Sequence, residues 1–145
     1  MVVSGIALTG ASHYWSTISK REKEQELLFR GDQILRGIES YYKRPSAGSG
    51  NAYPGRLKDL LKDPRSLAVR RYVRKIYRDP MTEDGVWGLI VDQQGGIKGV
   101  FSKSKDKPLK VGDFPYGYEA FEKAETYSDW KFVHNPEPVK KAPEK

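Results

Sequence analysis

From residue 27 onward, apolar positions recur at helical spacing. Leu27, Gly31, Ile34, Ile38 and Tyr41 form one stripe on a helix of about 3.6 residues per turn. Leu28, Leu35 and Tyr42 widen it to the breadth needed to cover a core. Just upstream, residues 20–30 (KREKEQELLFR) are nearly all good helix formers with charges of both signs interleaved. The pattern predicts one helix from Ser4 to Lys43. Arg44-Pro45 and the run Ser46–Asn51 end it, because a residue before proline avoids the helical region. Forty residues span about 60 Å, wider than a domain of this size, so one end is expected to protrude. Residues 1–19 contain no Lys, Arg, Asp or Glu. On this protruding end Tyr14, Trp15 and Ile18, with Ala11 just before, form an apolar patch. Apolar surface of this kind marks a contact, and aromatic residues suit a membrane–water boundary.

Beyond the Gly/Ser loop, Arg56–Lys62 is expected as a short amphipathic helix stopped by Asp63-Pro64, and Ser66–Tyr77 as a second. Val86–Asp92 reads as a strand, Gln93–Gly96 as a glycine turn and Ile97–Ser102 as the returning strand. Residues 103–117 read as a loop, Tyr118–Ala124 as a helical turn and Tyr127–Val133 as a third strand. Residues 134–145, with three prolines and three lysines, read as a disordered tail. A hairpin alone is marginal in water, and the long helix is the element available to cover its apolar face. The expected architecture is α+β: one domain over 1–133, a long N-terminal helix on a small antiparallel sheet of about three strands.

Composition adds bounds. The chain has 145 residues, 37% hydrophobic and 31% charged, which suits one core with a solvated surface. It has no cysteine, hence no disulfide, thiolate zinc site or cysteine nucleophile. A net charge of +7 favours anionic partners, but it is spread along the chain. No stretch of about 20 apolar residues is present, and no signal-peptide cleavage site follows the uncharged start.

Several motifs in order resemble a known family. The long N-terminal helix is followed by Tyr53-Pro54-x-x-Leu57-x-x-Leu60 and then by Arg71-Tyr72 through Arg78-Asp79-Pro80-Met81-Thr82. Gly85-x-Trp87-Gly88, Gly96-Ile97-x-Gly99-Val100-x-Ser102 and Tyr127-Ser128-Asp129-Trp130-x-Phe132 complete the series. Over residues 5–133 the chain resembles the pseudopilins of type II secretion systems, members of the type IV pilin-like superfamily. The resemblance implies a non-catalytic filament subunit, anchored in the inner membrane by an apolar half-helix after cleavage by a prepilin peptidase. Its partners would be other pseudopilin subunits and inner-membrane components of the secretion machine, and its folded domain would be periplasmic. The leader, the apolar first half of the helix and the glutamate near its start are missing, so the resemblance implies a soluble fragment beginning near the membrane exit. No nucleic acid is expected as partner.

Candidate chemistry is sparse. His13 and His134 lie at opposite ends of the chain, and no nucleophile-elbow pattern surrounds a serine. No catalytic residue and no metal ligand set is assigned. Asp84, Asp92, Asp106 and Asp113 flank the hairpin and the following loop, where Ca²⁺ ligands gather in the similar major pseudopilins, but their spacing matches no known ligand pattern. The alternative function is a basic binding module, with Arg70, Arg71, Arg74, Lys75 and Arg78 meeting an anionic partner.

Overall fold

The apolar stripe becomes a helix over Val2–Tyr42 (α1), and the glycine turn joins two strands, Gly88–Val91 (β1) and Ile97–Phe101 (β2). A third strand, Lys131–Val133 (β3), completes an antiparallel sheet in the order β1-β2-β3. The computed structural model describes the backbone of residues 2–45, 48 and 50–135, and within α1 the side chains from Ile18 onward. The architecture is α+β, with α1 laid across β2 and β3.

The stripe does what its spacing predicts. Leu27, Ile34 and Ile38 are fully buried and Tyr41 nearly so, in one core with Trp87, Ile97, Val100, Trp130 and Phe132. Gly31 lies in the stripe because there is no room for more. A Cβ at that position would stand 2.5 Å from ring carbons of Phe132, so the glycine lets the helix backbone approach β3. The β1–β2 register slips between Ile90 and Val91, leaving Lys98 without a partner across the hairpin. Ile38→Ala should destabilise the domain by about 2–5 kcal/mol as a large-to-small core change. Denaturant melts check this, and a loss below about 0.5 kcal/mol would mean that α1 packs on another face.

The segment between helix and hairpin departs from the sequence reading. The helix expected over 56–62 is a single 3-10 turn, Leu57–Leu60, and the helix expected over 66–77 does not form. The reason is tertiary. The backbone groups that a helix would use internally are spent across the segment, Asp63 N–H on Arg70 C=O and Tyr72 N–H on Leu60 C=O. This doubled-back path drops Val73 onto α1 beside Gly37, while Leu67 and Val69 stand exposed.

The third strand is shorter than expected. Tyr127–Asp129 form a 3-10 turn, which lets Tyr127 and Trp130 both bury fully; strict alternation would have turned one outward. The expected turn at 118–124 is a 3-10 helix over Glu119–Lys123. The expected tail begins too early. His134 is buried, its N–H bonds Lys98 C=O, and its ring meets Tyr42 and Tyr53. Residues 136–145 lie outside the described residues.

Candidate assembly surface

The described contacts of α1 with the rest of the domain begin where the charged run passes the 103–117 loop. Glu24 is buried, and one of its oxygens, Oε2, accepts three hydrogen bonds: from Leu109 N–H at 2.7 Å, Lys110 N–H at 3.1 Å and the Tyr127 hydroxyl at 2.8 Å. Burial, and then the hydrogen bond to Glu24, push the Tyr127 phenol well above its ordinary pKa. The ammonium of Lys20 lies 5.6 Å from the centre of the Tyr127 ring, a cation–π distance. Besides the apolar packing of Pro108 and Phe114, the loop places two backbone donors on a buried carboxylate. This collar ties α1 to the loop and to Tyr127. Farther along the same flank Asp32 accepts from the Tyr118 hydroxyl at 2.6 Å and from Arg36 at 2.8 Å.

The other flank carries a buried ion pair. Asp63 follows the 3-10 turn and precedes Pro64; its Oδ1 accepts from Arg65 N–H at 2.9 Å, the local turn that aspartate favours. The Arg65 guanidinium also bonds both Asp63 oxygens, and Tyr72 donates to Oδ2 at 2.7 Å. Arg65 then reaches the C-terminal end of α1. It donates to Tyr41 C=O at 3.0 Å, a helix-end carbonyl that also accepts a longer bond from Arg44 N–H at 3.3 Å, and lies 3.7 Å over the Tyr41 ring. The Arg65 hydrogen bonds hold the Asp63 carboxyl at about 2, below its ordinary 3.8, against the opposing effect of burial. A depressed folded pKa contributes stability above the unfolded pKa, and that contribution disappears as pH falls from 3.8 toward 2. The wild-type domain should lose about 2 kcal/mol over that window. Asp63→Asn should lose that dependence in acid melts; a parallel pH profile for the variant would contradict the pairing.

A second buried aspartate organises the turn before β1. Asp79 accepts from Met81 N–H at 2.9 Å and from the Ser102 hydroxyl at 2.7 Å, tying the turn to the end of β2. Gly85, at φ +66°, closes that turn by accepting from Asp79 N–H. The Arg78 side chain packs on Gly85 and donates to the carbonyls of Glu83 and Asp84. Trp87 donates from its indole to Tyr77 C=O at 2.8 Å. The residues of the resemblance motif between 78 and 88 thus have structural work in this fold.

No protein-family profile, curated protein or solved structure matches the chain.

What the surface offers therefore rests on its own geometry. The five basic residues of the 66–78 segment do not form a helical face. Arg70 and Arg71 line a groove with Arg44, Lys75 stacks 5.1 Å from the Tyr77 ring, and Arg78 is engaged as above. Asp84 and Asp92 each cap a local backbone N–H, and Asp113 sits in a turn at φ 58°. Asp106 accepts Tyr127 N–H on its carbonyl. Among the described residues no three carboxylate or imidazole groups gather as a metal site would need. Nor is any helix there long and apolar enough to cross a membrane. His134 shares a hydrogen bond between Nδ1 and the Tyr53 hydroxyl at 3.0 Å; burial lowers its pKa and raises that of Tyr53 to about 12. The ring stack of Tyr42 on Tyr53 closes this corner. Of the expected assembly contacts, Tyr14 and Trp15 lie outside the described side chains, and Ile18 is half-buried.

Sequence reasoning missed Glu24, Asp63, Asp79 and His134. For the two aspartates a signal existed: each directly precedes proline, which has no N–H and pre-sets the turn that the carboxylate then caps. Glu24 had none, being one charge in a run of charges.

Proposed function

We propose that the chain is a structural subunit of a periplasmic filament of the pseudopilin type, serving a type II protein secretion system. The observation that carries this reading is the ratio of helix to domain. α1 spans 41 residues, about 60 Å at 1.5 Å per residue, whereas a domain of about 100 residues has a radius of gyration of about 13 Å, so the helix is longer than the domain it covers. A helix that serves only its own core gains nothing from such an extension; one that enters a bundle of neighbouring helices does. The collar at Glu24 supports the reading, since a domain carried on a long helix needs a firm tie to it to stack regularly. The order of motifs through the turn at Asp79 and the hairpin agrees with it.

In this reading the upstream part of the protein anchors in the inner membrane, a prepilin peptidase matures it, and Tyr14, Trp15 and Ile18 meet neighbouring subunits. The protein works by assembly and carries out no turnover. Deleting its gene should leave folded secretion substrates in the periplasm, and a plasmid copy should restore their export. Unimpaired export in the deletion strain would remove the function.

A further inference from the structure

The two flanks of α1 carry opposite charge. On one flank Arg44, Arg70 and Arg71 surround an open groove of about 500 Å³ with Ser40 and Tyr72. Arg44 and Arg70 also border the adjoining groove beside Asp63 and Arg65. Among the described residues no carboxylate forms an ion pair with Arg44, Arg70 or Arg71. Asp63, which borders the adjoining groove, is taken up by Arg65 and Tyr72. Nη1 of Arg65 is buried without an acceptor at the same place. Three guanidinium groups around one groove repel one another, and each presents a fork that matches a carboxylate. Leu67 and Val69 stand exposed beside them.

The other flank carries the complement. Tyr118 is held on Asp32, and the 3-10 helix that follows displays Glu119 and Glu122, with Glu125 just beyond, all exposed. Asp129 adds a fourth carboxylate, and Lys105, which donates to Ser128, Lys123 and Lys131 offset three of the four. Tyr116, almost fully exposed, gives it an apolar neighbour, as Leu67 and Val69 do for the arginines. Asp32, under the ridge, and Ser40, which lines the arginine groove, are eight residues apart on α1. That is about 80° round the helix, so the two patches sit on different faces of it.

We propose that the arginine groove of one copy of this chain receives the Glu119–Glu125 ridge of the next, a head-to-tail contact around α1. It rests on the filament reading and names the surfaces that reading leaves open. Two different patches in contact make a heterologous interface, which propagates instead of closing as a symmetric pair.

The chain has no cysteine, so engineered ones report unambiguously. Arg71→Cys combined with Glu122→Cys, oxidised in concentrated solution at low salt, should give a disulfide-linked ladder on a non-reducing gel. Each single variant should stay largely monomeric, and Arg71→Cys with Gln94→Cys should give far less ladder. Adding Arg70→Glu should remove the ladder, and adding Glu125→Arg to that chain should restore it. Salt should weaken it, since the contact is charged and near solvent. Monomers alone, equal yield from the Gln94 control, or like-to-like dimers from a single variant would overturn the contact. If the ladder fails while gene deletion still blocks export, the filament reading survives and this interface does not; a ladder with unimpaired export gives the reverse.

Discussion

Glu24→Ala should cost the domain about 3–5 kcal/mol. The carboxylate is buried, and removing it orphans two backbone donors and the Tyr127 hydroxyl at once. An unsatisfied buried donor costs about 1–3 kcal/mol. Water entering the space left by the shortened side chain recovers part of that, which keeps the total below the simple sum. The loss has a signature beyond stability. The N–H groups of Leu109 and Lys110 both bond this one oxygen, so they should exchange with solvent far faster in the variant, while those of β2 should change only with global stability. Glu24→Gln should lie between the two, because its amide oxygen can still accept while its NH₂ meets donors. Denaturant melts with hydrogen exchange check both. A loss under about 1 kcal/mol, or unchanged exchange at Leu109, would show that the loop is held by its own packing.

How much of this was legible in the sequence depended on range. The stripe from Leu27 to Tyr41 and the turn at Gly95-Gly96 are local patterns, and both became the elements they predict. The 56–77 segment carries an equally local helical pattern, but its backbone found partners across the segment, and the buried Asp63–Arg65–Tyr72 network replaced helical turns. No window of sequence contains that competition, because Asp63 gains its burial only by packing under the end of α1. The same holds for His134, which reads as the start of a polar tail until Tyr42 and Tyr53 close over it. Glu24 is the sharpest case. In the run Lys20–Glu26 it is indistinguishable from its neighbours, and only the arrival of a loop some 85 residues later singles it out. The grooves and ridges that carry charge were half legible: the basic residues were visible, but not that a doubled-back segment would set Arg70 and Arg71 beside Arg44.

The second large effect concerns the part of α1 that precedes the collar. In the proposed filament, Tyr14, Trp15 and Ile18, within about a turn of one another on α1, meet the helices of neighbouring subunits. Charges placed there would sit among neighbouring helices, where an unpaired carboxylate is costly to bury. The same charges in the isolated domain lie upstream of the Glu24 collar and of the core from Leu27 onward, so its fold should not depend on them. The effect should therefore split: large on assembly, negligible on stability.

The measurement that tests the account most directly is Trp15→Asp combined with Ile18→Asp in the protein expressed from its own gene, read by filament assembly and export together with the melting temperature of the isolated domain. The account predicts no filaments and no export with an unchanged melting temperature. Normal export by the double variant, or unfolding of the isolated domain, would contradict it.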